Sequence, residues 1–149
     1  MTAADALDGQ DDRIFIVEDH PLMREVIRDY LGAIPGLAIC GEAQSGEEAL
    51  DLLEKAAPDL VLVDTSLARM SGIEFVTQAR QRWADIRCLM LSGHGQESYV
   101  ERALEAGARG YVLKGDPAEL PRAIRHVLDE GERYLSPRLR MPGRPPEGL

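Results

Sequence analysis

Five short apolar runs, each followed by a stripe of helical spacing, constrain this chain more than any other feature. The runs are residues 13–17 (RIFIV), 37–43 (LAICGEA), 60–63 (LVLV), 86–91 (IRCLML) and 110–113 (GYVL). The first and third are the richest in β-branched residues. A strand that is apolar on both faces must be covered on both, which suits a parallel sheet between two layers of helix.

The stripes between them support this alternation. Leu22, Val26, Tyr30 and Leu31 share one face of the first stripe. Ala49, Leu52, Leu53 and Ala56 do so in the second, and Phe75, Val76, Ala79 and Trp83 in the third. Tyr99, Val100, Ala103 and Leu104 mark the fourth. Leu120, Ala123, Ile124, Val127 and Leu128 repeat at i, i+3, i+4, i+7 and i+8 in the fifth. Ser45 with Glu48 is a capping-box pattern, and Asp116–Pro117 predicts a cap followed by a helix-starting proline. Gly107 and Gly131 stand where helices should stop. Five β-α units with right-handed crossovers predict a doubly wound α/β fold, a five-stranded parallel sheet with helices on both faces.

Residues 1–12 read as a disordered lead-in, 13–135 as one domain, and 136–149 as a flexible tail rich in Pro and Gly. The net charge of −9 argues against direct nucleic-acid binding, which needs clustered Lys and Arg. No apolar run approaches the ~18 residues of a membrane helix. Cys40 and Cys88 lie singly in apolar runs and read as reduced thiols, which suits the cytoplasm.

Open α/β sheets bind ligands outside the carboxyl ends of their strands. In this chain those ends carry Glu18 and Asp19 after the first strand, Asp64 after the third, Ser92 after the fourth and Lys114 after the fifth. Any one of them alone is ordinarily the start of a solvated loop. Together they are not ordinary. Two carboxylates 4 Å apart repel by ~4 kcal/mol at an effective dielectric of 20, so three would take up protons or bind a cation. Carboxylate oxygens without His or Cys nearby favour Mg²⁺. A carboxylate can also attack a phosphoryl group to give an acyl phosphate, with no general base needed because it is ionised at pH 7. Such a transfer requires positioning and charge neutralisation, which a cation, Lys114 and the Ser92 hydroxyl would supply.

At this point the motifs IFIVEDHPLMREVI, PDLVLVDTSLARMSGIEF, LMLSGHG and EAGARGYVLKGD resemble, in order and spacing, the receiver domain of bacterial two-component response regulators. The phrasing is most similar to the NarL/FixJ subfamily, and the likeness runs from Arg13 to Leu135. It implies a flavodoxin-like strand order of 2-1-3-4-5. It also implies that Asp64 is the phosphoacceptor, that Asp19 binds Mg²⁺ directly and Glu18 through water, and that Ser66 lends its backbone carbonyl to the metal. Ser92 matches the switch hydroxyl, Lys114 the family lysine and Tyr111 the aromatic switch. The implied donor is a sensor histidine kinase or a histidine phosphotransfer protein.

Two departures stand out. Ala68 occupies a position usually held by Pro, which leaves the loop shape open. No helix-turn-helix pattern follows Ser136, so the expectation is a stand-alone receiver, a phosphoprotein of a phosphorelay and not a conventional enzyme. Its output would be altered contact with another protein, with itself as a dimer, or with the kinase. The alternatives are an adaptor that uses the fold without phosphorylation, or the receiver half of a truncated helix-turn-helix transcription regulator. A phosphatase would need an acid two residues past Asp64, where Ser66 stands. His20, His94 and His126 read as loop or surface residues.

Overall fold

The computed structural model describes residues 10–139. Of the lead-in expected at 1–12 and the tail expected at 136–149, residues 1–9 and 140–149 lie outside the described residues. The strands are β1 (Asp12–Val17), β2 (Leu37–Ala43), β3 (Leu60–Asp64), β4 (Cys88–Ser92), β5 (Gly110–Leu113) and β6 (Tyr134–Leu135). The helices are α1 (Pro21–Gly32), α2 (Gly46–Ala56), α3 (Gly72–Arg82), α4 (Glu97–Glu105) and α5 (Glu119–Glu130). All pairings are parallel and the order is β2-β1-β3-β4-β5-β6. The expected five-strand order is therefore present, extended at one edge by a two-residue strand that sequence periodicity cannot reveal.

Alternate residues of each central strand feed two separate cores, as the period of two requires. Phe15, Val17, Val61, Val63, Met90 and Tyr111 face α2, α3 and α4. Ile14, Ile16, Leu62, Leu89, Leu91 and Val112 face α1 and α5. The covering faces follow the sequence stripes closely in α3 and α5, where Phe75, Val76, Ala79, Leu120, Ala123, Ile124 and Val127 are buried.

The first stripe differs. Leu22 and Val26 are exposed (64% and 53%), and α1 buries Ile27 along with the expected Leu31. The seam that packs with Ile14 and Ile16 runs through Ile27 and Leu31, four residues apart and one position on from Leu22 and Val26. Leu52 on α2 is likewise exposed, with Leu50 buried in its place.

Local signals set most helix ends. Ser45 Oγ accepts from the Glu48 N–H at 3.1 Å, and Ser71 Oγ accepts from the Glu74 N–H at 3.1 Å. Gly131 closes α5 at φ 68°, the left-handed cap glycine tolerates best. Asp116–Pro117 does not open α5. Asp116 Oδ1 accepts from the Ala118 N–H at 3.1 Å in a turn, and the helix begins at Glu119.

Ser136 is fully buried and Leu139 is 4% exposed, so the chain stays seated on the domain past residue 135.

Candidate functional site

The three carboxylates arrive at one edge because each ends a buried strand or begins the loop just beyond it. Glu18 follows β1 and its N–H is tied to the Ala43 carbonyl at 3.0 Å, which holds it down against the sheet. Asp19 is the next residue. Asp64 is the last residue of β3 and is 4% exposed. One oxygen from each lies within 4.8 Å of the others.

Each carboxylate has a defined hold. Asp64 Oδ1 accepts from the Ser66 N–H at 2.8 Å. Its Oδ2 faces Lys114 Nζ at 3.3 Å. Glu18 Oε2 accepts from the His20 N–H at 3.1 Å, while Lys114 Nζ stands 3.7 Å from Oε1. Asp19 Oδ2 accepts from the Ala68 N–H at 3.3 Å. The lysine arrives through the backbone, its N–H bonded to the Ser92 carbonyl at 2.7 Å.

Glu18 carries the strongest electrostatic signature. Burial, with the Asp64 side chain alongside, pushes its carboxyl up to about 8, against the pull of the His20 N–H and of Lys114. Its Oε1 is buried without a hydrogen-bond partner. An orphaned carboxylate oxygen facing two other carboxylates is the donor set of a hard, oxygen-loving cation, so the residues present fit a divalent metal.

Ser92 and Tyr111 lie one layer behind this cluster. Both are fully buried. The Ser92 hydroxyl donates to the His94 carbonyl at 2.9 Å, and the Tyr111 hydroxyl donates to the same oxygen at 2.8 Å. Burial raises the Tyr111 phenol above its ordinary range. Ser66 is exposed, and its contribution within the site is the N–H on Asp64.

Several residues of the site escape sequence reasoning. Thr65 Oγ1 donates to Ser92 Oγ at 2.8 Å, which links the end of β3 to the end of β4. Tyr99 donates its hydroxyl to the Thr65 carbonyl at 3.1 Å and meets the Tyr111 ring edge-on at 6.4 Å. Arg24 spans the Glu18 carbonyl at 2.9 Å and Glu42 at 3.2 Å. A hydroxyl directly after Asp64 was the one available signal. Tyr99 read only as part of a core stripe. His20 has a structural task as well: its Nδ1 accepts from the Met23 N–H at 3.2 Å and caps α1.

A glycine is required where α3 meets the site. A Cβ on Gly72 would lie 2.8 Å from the Asp64 carbonyl oxygen and 2.9 Å from Met90 Cε. The start of α3 thus presses directly on the backbone that presents Asp64.

A family model described as the response regulator receiver domain matches residues 14–125. The chain belongs to this family. The receiver is similar to the two-component response regulator of the LuxR family from Aurantimonas sp. SI85-9A1, at 39% identity and a TM-score of 0.82 over 85% of this chain and 91% of that one. It is 35% identical to the transcriptional regulatory protein DegU of Brevibacillus brevis, over 85% of this chain and 54% of DegU. It is 34% identical to the nitrate/nitrite response regulator protein NarL of Escherichia coli K12, over 83% of this chain and 57% of NarL. The receiver therefore spans little more than half the length of these two relatives. Among its described residues, no helix is long and apolar enough to cross a membrane.

Proposed function

We propose that this receiver accepts a phosphoryl group on Asp64 from a histidine kinase or histidine phosphotransfer protein in a Mg²⁺-dependent reaction in the cytoplasm. The observation that carries the reading is the set of three carboxylates facing a single lysine at the carboxyl edge of the sheet. Glu18, Asp19, Asp64 and the Ser66 backbone carbonyl would hold the metal. When bound, Mg²⁺ supplies neutralisation of the phosphoryl oxygens.

The rest is done by the chain. An Asp64 oxygen attacks phosphorus in line. The new O–P bond forms as the N–P bond of phosphohistidine breaks, and the imidazole leaves with the electron pair and takes up a proton. Lys114 turns from the Asp64 carboxylate to a phosphoryl oxygen as a compact point charge. Ser92 exchanges the His94 carbonyl for another phosphoryl oxygen. Tyr111 loses the partner with which it shares that carbonyl and repacks, biasing the surface of α4, β5 and α5. Catalysis extends no further than its own phosphorylation and dephosphorylation.

The donor docks beside α1, where Leu22 and Val26 are exposed next to the acidic edge. Output is a change in contact with another protein or with a second copy of the chain. A second reading, the receiver half of a helix-turn-helix regulator, is favoured by the greater length of DegU and NarL. Sequencing the gene past Leu149 separates the two.

The test is phosphorylation by a small-molecule donor such as acetyl phosphate, followed by intact mass. Wild type gains one phosphoryl group in Mg²⁺ and Asp64→Ala gains none. Equal labelling of both ends the assignment.

A further inference from the structure

Past α5 the chain turns back along β5 and stays there. The Tyr134 N–H bonds to the Arg109 carbonyl at 3.0 Å, and the Ser136 N–H to the Tyr111 carbonyl at 3.0 Å. The side chains of this segment converge on Glu119, at the start of α5. Glu119 is 3% exposed, and a carboxylate so buried is costly unless donors surround it. Its partners come from the returning segment. Tyr134 donates its hydroxyl at 2.8 Å, Ser136 its hydroxyl at 2.6 Å, and Arg138 pairs with it at 3.3 Å. The same residues grip β5: Ser136 Oγ accepts from the Leu113 N–H at 2.9 Å, and Arg138 donates to the Leu113 carbonyl at 3.2 Å.

The far end of the segment sits on the loop after Ser92. Leu139 is buried against Gly95 and Leu113, and a Cβ added to Gly95 would stand 2.6 Å from Leu139 Cδ2. Gly95 follows His94, whose carbonyl accepts from both Ser92 and Tyr111. Leu113 precedes Lys114. The segment therefore touches, on one side, the loop whose anchor is the Ser92 hydroxyl and, on the other, the strand that carries Tyr111 and Lys114.

We propose that residues 134–139 are a strap, held across the β5 edge by Glu119 in the resting protein and released when Asp64 is phosphorylated. The inference rests on the phosphorylation reading above. If Ser92 turns to a phosphoryl oxygen, the 93–95 loop loses one of its two hydroxyl anchors, and Leu139 loses the surface it is seated on. The Glu119 clip and the bonds to β5 are then left to hold the segment without the seat of Leu139. Release uncovers the edge of β5, whose unpaired backbone groups are a template for another strand. It also frees whatever chain follows residue 139 to change its orientation.

Hydrogen–deuterium exchange on the full chain reads this directly. In wild type carrying one phosphoryl group by intact mass, exchange at the Tyr134 and Ser136 amides rises by roughly 2–10-fold, the change that loss of one neutral hydrogen bond produces. Asp64→Ala, treated alike, shows no rise. Unchanged exchange in protein that mass shows to be fully phosphorylated overturns the strap and leaves the acceptor assignment intact. Absence of the phosphoryl group overturns the acceptor assignment, and a second arm then decides the strap without phosphorylation. Leu139→Ala, and Glu119→Ala where it folds, speeds exchange in both the strap and the 93–96 loop. Faster exchange confined to the strap shows that the two are uncoupled and overturns the proposal.

Discussion

Ala68 donates its N–H to Asp19 Oδ2 at 3.3 Å, at a position where the family resemblance leads to the expectation of proline. Proline has no N–H to give, so Asp19 is held by a contact that proline could not make. The bond orders Asp19 before any cation arrives, which lowers the cost of ordering it on binding.

Ala68→Pro is therefore expected to weaken Mg²⁺ binding by roughly 2–10-fold, the worth of one neutral donor on a carboxylate. Isothermal titration calorimetry measures it. An unchanged or tighter affinity would show that the 3.3 Å contact orders nothing.

Glu18 predicts a proton coupled to the metal. Its carboxyl is raised to about 8 in the folded chain, so at pH 7 it is mostly protonated when no cation is present. A cation that takes the Glu18 oxygen must displace that proton. Calorimetry at pH 7 in two buffers of different ionisation enthalpy should find close to one proton released per Mg²⁺ bound. The same shift acts on folding. A carboxyl raised in the native state favours folding fully below its unfolded value of 4.5, and that contribution is lost as pH rises through about 8. Metal-free stability should fall across this window, and Glu18→Gln should flatten the fall. Equal slopes for the two proteins would refute the assignment.

Lys114 faces Asp64 and Glu18 at once. Removing a fixed cation aimed at developing phosphoryl charge costs on the order of 10²-fold in rate. Lys114→Ala should slow phosphorylation by acetyl phosphate by about that factor. Lys114→Arg should recover little of it, because a planar fork does not replace a point charge at this site. Full activity in either variant would remove Lys114 from the mechanism.

Gly72 is a steric requirement of the strand that carries Asp64. Gly72→Ala places a methyl group 2.8 Å from the Asp64 carbonyl and must move backbone. Chemical denaturation should show a loss of about 1–3 kcal/mol, as overpacking ordinarily costs. A neutral result would mean that α3 can shift without strain.

Much of this molecule is legible before folding, and the reason is local. A parallel strand covered on both faces must stay apolar along its length, so 60–63 and 110–113 announce β3 and β5 almost to the residue. The first polar residue after such a run marks the sheet edge, which is how Glu18, Asp64 and Lys114 could be gathered from spacing alone. Ser45 named its own helix start for a similar reason, since the bond it makes spans three residues.

The features that were not legible depend on partners far away in the chain. Leu22 and Val26 have helical spacing, yet their exposure depends on which face of α1 meets the sheet, and that face carries Ile27 and Leu31. Strand β6 has two residues and no period to read. Thr65 gains its role from Ser92, 27 residues away, and Glu119 from Ser136, 17 residues away.

The amino-acid sequence by itself determined the element order and the residues that stand at each strand end, because both follow from short-range periodicity and from where apolar runs stop. Only the tertiary structure decided that Glu18 would hold a proton, that Ser92 and Tyr111 would share the His94 carbonyl, and that Glu119 would clasp the returning chain. Those outcomes depend on distances across crossovers and on the exclusion of water, and neither exists until the helices close over the sheet.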